Sequence, residues 1–293
     1  MLNPQTEKFY QTLFDHIPKG ELSITRVRQG FEKLMSSFPA QPDVHFEEIS
    51  IGKLFAAWVH TPGCTKDRVI LFLHGGGYIS GTFYSHQDFI GRLAQATGCY
   101  VLAVDYRLAP EHPFPTALED CLLAYQFLLK EKIPPANIFI AGTSAGGGLT
   151  LSLMLSLRDH HEPLPRAAIC ICPWVDLALT GKTLDTSAGK DILQKDRIQK
   201  AADLYLQGHN PRDPLASPLY ADLKGLPPLL IQTGTRELFL DEIERFAQKA
   251  QESKVKVKLQ KYEEMIHTWQ LFASQIPEGQ KAIAEIAAFM KTV

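Results

Sequence analysis

A chain of 293 residues, 45% hydrophobic and 21% charged, is long enough to bury a substantial core and has the balance of an ordinary soluble globular protein. Its formal net charge of −2 gives no ground for expecting nucleic acid or an anionic membrane as partner, and no apolar stretch reaches the roughly 18–20 residues of a membrane span. The five cysteines, Cys64, Cys99, Cys121, Cys170 and Cys172, are odd in number and irregularly spaced, which argues against a disulfide framework.

Met1–Lys8 lacks a basic segment followed by an apolar one, so no signal peptide is expected and a reducing, cytoplasmic setting is the default. Residues 1 to about 45 read as amphipathic helices with breaks at Pro18-Lys19-Gly20 and Phe38-Pro39-Ala40-Gln41-Pro42. Phe46–Ile51 and Leu54–His60 read as strands joined by Gly52-Lys53 in an antiparallel hairpin. From there strands and helices alternate. Strands are expected at Val69–Leu73, Tyr100–Asp105, Ile138–Ala141, Ala167–Cys172, Leu229–Thr233 and Lys254–Tyr262. Helices are expected at His86–Thr97, Thr116–Lys130, Ala145–His160, Asp241–Glu252 and Gln280–Lys291. Several of these strands are continuous apolar runs, as befits a parallel sheet covered on both faces by right-handed crossovers. Cys170 and Cys172 lie two apart in one such run, which would point both sulfurs to one face as buried core. Residues 173–228 interrupt the rhythm: Lys182–Gly208 is polar and reads as helical, and Asn210–Pro228 is a proline-rich connection. This insertion could fold over the carboxyl ends of the strands, with the N-terminal helices joining it as a lid.

Two glycine-rich segments carry chemistry. Gly142-Thr143-Ser144-Ala145-Gly146 matches G-x-S-x-G, with the strand run Ile138–Ala141 before it and a helix after it. A nucleophile at such a junction sits on a tight turn whose flanking glycines relieve crowding, with a helix N-terminus adding a positive dipole. The bland alternative is a glycine-rich turn with a capping serine. Because G-x-G-x-x-G is absent, a dinucleotide loop is disfavoured. His74-Gly75-Gly76-Gly77-Tyr78 follows the strand run Val69–Leu73 and leaves backbone N–H groups open to a developing oxyanion.

A serine nucleophile needs a base and an orienting acid, which in this strand–helix order follow as Asp or Glu and then His. Of the histidines after Ser144, His160 and His161 end a helix and His209 lies in the insertion, whereas His267 follows the last strand where a loop could reach Ser144. Glu237 lies on the loop after Leu229–Thr233, while Asp241 fits the first turn of the next helix, where the dipole alone favours an acid. Position therefore favours Glu237 as the acid and leaves Asp241 as the fallback.

His74–Gly77, Gly142–Gly146, Tyr106-Arg107-Leu108-Ala109-Pro110-Glu111-His112-Pro113-Phe114-Pro115 and Asp213-Pro214-Leu215-Ala216-Ser217-Pro218-Leu219 together resemble the hormone-sensitive-lipase family of esterases over about residues 46–293. The resemblance implies an α/β-hydrolase fold, a mostly parallel eight-stranded sheet flanked by helices, with a helical cap. Cap helices would occupy residues 1–45 and an insertion at about 180–210, and the catalytic domain residues 46–293. It also implies carboxylic-ester hydrolysis without metal or organic cofactor. Carried over by position, Ser144 is the nucleophile, His267 the base and Glu237 the acid, with the N–H groups of Gly76, Gly77 and Ala145 as oxyanion donors. Two departures stand out: a glutamate replaces the family's commoner aspartate in Glu237-Leu238-Phe239-Leu240-Asp241-Glu242, and Thr143 replaces an aspartate in the elbow. Both resemble a G-T-S-A-G subgroup in which a glutamate acid is familiar.

His74 is read as holding the glycine loop in shape, and Tyr78 as lining the substrate pocket or packing in the core. Arg107 and Glu111 are expected to form a partly buried pair that fixes the proline-rich turn. The resemblance implies a small ester of short- to medium-chain acyl groups as partner, and neither nucleic acid nor stable membrane insertion is expected. A homodimer through Lys254–Tyr262 is conceivable if that strand is a sheet edge, although its alternating lysines could equally protect the edge. Matched ester and anilide substrates would separate an esterase from an amidase, and ligand binding without turnover would mark a receptor on the same fold.

Overall fold

The computed structural model describes residues 2–15, 17, 20, 23–38 and 41–293. Eight strands form one sheet: β1 (His45–Ile51), β2 (Leu54–His60), β3 (Thr65–Leu73), β4 (Cys99–Val104), β5 (Ile138–Thr143), β6 (Ala167–Ile171), β7 (Leu229–Gly234) and β8 (Val257–Tyr262). Their order across the sheet is β1-β2-β4-β3-β5-β6-β7-β8. Strand β2 pairs antiparallel with β1 and β4, and every other pair is parallel.

The continuous apolar run in β3 is explained by what lies on each side. Val69, Leu71 and Leu73 face one core, shared with helices α4 (Thr116–Lys130), α5 (Ala145–Asp159) and α8 (Leu240–Glu252). Ile70 and Phe72 face the other, shared with α1 (Pro4–Asp15), α3 (Phe83–Thr97) and α9 (Pro277–Thr292). All five side chains are fully buried, so the strand has no solvent face on which a polar alternate could be tolerated. Each contributes about 1.5–3 kcal/mol by leaving water.

This topology determines where chemistry can sit. The chain runs from β3 to β4 on one side, then returns across β3 to β5, so the loops after β3 and β5 diverge over a shared crevice. Such a switch point at the carboxyl ends of parallel strands is the usual ligand position in open α/β sheets. The loops after β6, β7 and β8 open on the same edge, because all these strands run parallel.

Helices α1 and α2 (Ile24–Met35) approach that edge. The Tyr10 hydroxyl of α1 lies 3.4 Å from both Met265 Sδ and the Ile266 nitrogen, in the loop after β8. Arg28 of α2 donates to the carbonyls of Ile79 and Ala109, at 2.8 and 2.9 Å. Of the two breaks expected here, Pro18 and Lys19 in the first and Pro39 and Ala40 in the second lie outside the described residues.

The insertion differs from the single helical stretch expected at Lys182–Gly208. It forms a short helix, α6 (Thr183–Thr186), and a longer one, α7 (Lys195–Leu206). Between them Gly189 takes a left-handed φ of 77° and breaks the helix, which leaves Ser187–Gln194 as a loop.

The expected Arg107–Glu111 pair does not form. Arg107 instead pairs at 2.6 Å with Asp120 of α4, whose carboxylate also accepts from the Arg107 backbone nitrogen at 2.8 Å. Asp120 is buried, and this twofold grip meets its charge as no solvent can. Glu111 pairs with Arg28 of α2, also at 2.6 Å. The cysteines differ too. Strand β6 ends at Ile171 and Cys172 has a φ of 48°, so strand alternation stops there. Cys170 joins the α4–α5–α8 core and Cys172 the opposite one.

Candidate active site

Ser144 occupies the corner between β5 and α5 with φ 54° and ψ −119°, a backbone conformation an L-residue adopts only under constraint. The constraint is visible. Its nitrogen donates to the Ile171 carbonyl at 2.8 Å, and its carbonyl accepts from Gly148 and Trp174, both at 3.0 Å. A side chain at Gly146 would place its Cβ 2.1 Å from the Leu73 carbonyl oxygen, so only glycine lets α5 start this close to β3. The fully buried first turn of α5 then directs its N-terminal end at the corner.

His267 follows β8 and Glu237 follows β7. The His267 Nδ1 lies 2.9 Å from Glu237 Oε2, and both side chains are buried. An ionised carboxylate can only accept, so Nδ1 carries the proton and Nε2 presents a lone pair. Among the described residues Nε2 has no hydrogen-bond partner. The other Glu237 oxygen accepts from the Gly234 nitrogen at 2.6 Å and the Thr233 hydroxyl at 3.1 Å, which fixes the carboxylate plane. The Phe239 ring meets the imidazole edge-on at 5.2 Å and stacks on Trp174. The two halves of the site join through β6. Ser144 bonds Ile171, the next residue is Cys172, and the Cys172 sulfur accepts from the Thr268 nitrogen at 3.3 Å. Asp241, the alternative acid, points away and pairs with Arg245 at 2.9 Å.

The glycine loop lies against this corner. A Cβ on Gly75 would sit 3.3 Å from the Ser144 Cβ. Gly76 has φ 122° and turns so tightly that a Cβ there would meet the Ser80 carbonyl at 2.1 Å. Among the described residues the N–H groups of Gly76, Gly77 and Ala145 make no hydrogen bond. N–H groups left without acceptors in this way are free to receive negative charge developing on an oxygen.

Two histidines shape the loop. His74 is buried, stacks on Tyr106 at 4.1 Å and donates from Nδ1 to the Gly75 carbonyl at 2.8 Å. His86, in α3, accepts from the Gly75 nitrogen through Nε2 at 3.1 Å. Burial pushes His74 down to about 4 and His86 to about 3, so both are neutral at neutral pH and can serve as scaffold rather than charge. Sequence reasoning missed His86 because it lies inside a helix, eleven residues from its partner. Tyr78 is also buried, stacked at 3.9 Å on Tyr205 of α7, and it ties the loop to the insertion.

One group of metal-type donors occurs among the described residues: Cys172, Glu237 and His267, whose donor atoms lie within 4.8 Å of one another. Two of the three already bond each other. Burial holds the Cys172 thiol well above its ordinary range, so it is a neutral thiol rather than a thiolate ligand.

A parallel sheet with one antiparallel strand, a strained serine corner after β5 and a buried His–carboxylate pair after β7 and β8 define an α/β-hydrolase. A model of the alpha/beta hydrolase fold family matches residues 70–271. An acetyl-hydrolase of Streptomyces hygroscopicus is 38% identical over 278 residues, 94% of this chain and 92% of the relative. An esterase of the bacterial hormone-sensitive-lipase family superposes with a TM-score of 0.96 at 40% identity, covering 100% of this chain and 99% of its own. A crystal structure of EstE5 soaked by p-nitrophenyl butyrate gives the same score and identity, covering 99% of each chain. The chain belongs to the α/β-hydrolase family, among the esterases of its bacterial hormone-sensitive-lipase group. It is a serine carboxylesterase-type hydrolase. No described helix is long and apolar enough to cross a membrane.

Proposed function

We propose that the chain hydrolyses short- to medium-chain carboxylic esters through an acyl-enzyme on Ser144, with His267 as base and Glu237 as its orienting acid. The observation that carries this reading is an imidazole with one nitrogen on a buried carboxylate and the other unpartnered, its loop linked through Cys172 and Ile171 to a strained serine. Nε2 takes the hydroxyl proton as Ser144 Oγ attacks the acyl carbon. The carbonyl electrons move to oxygen, and the Gly76, Gly77 and Ala145 N–H groups receive the oxyanion. As the tetrahedral species collapses, the alcohol departs with the proton from Nε2. Water then gives a proton to Nε2 and attacks the acyl group, and the acid leaves as Ser144 recovers its hydrogen. Glu237 stays ionised throughout and stabilises the imidazolium.

The substrate class is supported by the relatives' names, an acetyl-hydrolase and a protein soaked with a butyryl ester. The insertion and N-terminal helices form the lid in this reading, for Tyr78 stacks on α7 and Arg28 grips the loop carbonyls. The β8 strand is one of the two end strands of the sheet and offers an edge to a second copy, although exposed Lys258 and Lys261 also protect it. A chain-length series of p-nitrophenyl esters tests the substrate class. Turnover should be highest at acyl chains of two to about eight carbons, the range the family resemblance suggests. A maximum at long-chain esters would refute it.

A further inference from the structure

The loop between α6 and α7 carries a buried carboxylate to which the mechanism above assigns no role. Asp191 is 3% exposed. Its Oδ1 accepts from the His267 backbone nitrogen at 2.8 Å and from its neighbour Ile192 at 2.8 Å. Its Oδ2 accepts from the Leu238 nitrogen at 3.0 Å, one residue after Glu237. One side chain thus holds the main chain at both the base and the acid. A second tie comes from the same insertion: the Thr183 hydroxyl of α6 donates to the Leu238 carbonyl at 2.7 Å and accepts from the Asp241 nitrogen at 3.0 Å.

The charge is as informative as the contacts. A buried carboxylate is costly without a cationic partner, yet no lysine or arginine pairs with Asp191 among the described residues. The groups that face it are His267, Glu237, the Cys172 thiol and, from α1, the Tyr10 phenol. Only the imidazole among these can become a cation. Burial raises Asp191 to about 6, while the neighbouring imidazole pulls it down. Both thiol and phenol are pushed up by burial and stay neutral.

We propose that Asp191 is a positioning residue for the reaction: it clamps the backbones of the base and acid loops from within the insertion, favours the His267 cation, and so makes turnover depend on the seating of that insertion. This rests on the reading of His267 as base and Glu237 as acid. An amide at this position has one acceptor oxygen where the carboxylate has two. Asp191→Asn therefore leaves either the His267 or the Leu238 nitrogen facing an N–H₂ group, with little change of volume.

The test compares full-length Asp191→Asn, Thr183→Val and His267→Ala with the parent on p-nitrophenyl butyrate across pH. For Asp191→Asn the expected result is a fall in kcat of roughly 10- to 100-fold with KM within about threefold. The acid limb of kcat/KM should also move to lower pH by roughly half a unit, because a lost anion disfavours the imidazolium. Thr183→Val removes a tie without removing charge. Its kcat should fall roughly three- to tenfold with the acid limb unmoved. Parental kcat in Asp191→Asn overturns the proposal, as does a lowered kcat with an unmoved acid limb, which marks a support of the fold alone. Parental kcat in Thr183→Val overturns the dependence on the insertion, and this variant decides that point if Asp191→Asn does not fold. Turnover retained by His267→Ala would defeat the acid–base reading itself, whereas an inactive His267→Ala beside a parental Asp191→Asn defeats only this proposal.

Discussion

The serine corner and the Glu237–His267 pair are built in opposite ways. The corner is local: within five residues, Gly142 to Gly146, the chain turns from β5 into α5, and the contacts that hold Ser144 come from the end of β6, the turn just after it and α5 itself. The Glu237–His267 pair is assembled from afar. Glu237 and His267 are thirty residues apart, and their loops are fastened by Asp191 and Thr183 from the insertion and by Tyr10 from the first helix. A local device should fail by unfolding when it is crowded, and an assembled one should fail by losing geometry while the fold survives.

The acid provides the sharpest contrast. Glu237→Gln should lower kcat on p-nitrophenyl butyrate by about 10²–10⁴-fold, since the amide no longer stabilises the imidazolium or enforces its tautomer. Asp241→Asn should stay within about threefold, because Asp241 pairs with Arg245 instead of His267. The reverse order would transfer the acid to Asp241.

Gly146→Ala should behave differently. With its Cβ 2.1 Å from the Leu73 carbonyl, backbone has to move, and denaturant melts should show about 3–5 kcal/mol of lost stability. A stable but inactive variant would mean that the corner is less constrained than its contacts indicate. His86→Ala removes the acceptor for the Gly75 nitrogen. It should cost about 1–3 kcal/mol in stability, with kcat falling roughly tenfold, short of the hundredfold or more of a lost oxyanion donor.

Glu111→Gln should matter least. The Arg28 guanidinium holds Glu111 down at about 2, below its ordinary 4.5, but the carboxylate is exposed and screened. Its contribution should be under about 1 kcal/mol. Since the folded value is the lower one, that contribution is present above pH 4.5 and is lost as pH falls through about 2. Melts of parent and variant should therefore converge in acid, and a difference that widened there would contradict the pairing.

What could be read in advance follows the same division. The eight strands and the serine corner announce themselves through apolar runs and glycine spacing, which are signals carried by neighbours in the chain. That Glu237 lies on a loop and Asp241 in a first helical turn is legible in the same way, because the two are distinguishable locally. Asp191 could not be found this way: it sits in a polar stretch that reads as helix, and its worth comes from two backbones nearly fifty and eighty residues away. Arg107 and Glu111 mislead for the complementary reason. They are close in sequence, yet each finds a better partner, Asp120 and Arg28, on another helix. Cys172 escapes alternation because β6 ends one residue earlier.

Acyl-enzyme trapping examines the reaction at the atom where it should occur. The chain is mixed with p-nitrophenyl butyrate, quenched in acid within the burst, digested and weighed by mass spectrometry. A butyryl group should appear on the peptide carrying Ser144, in an amount matching the p-nitrophenol burst, and should be missing from Ser144→Ala, whose turnover should fall by about 10⁴-fold or more. Butyryl on another residue, or undiminished turnover by Ser144→Ala, would contradict the assignment.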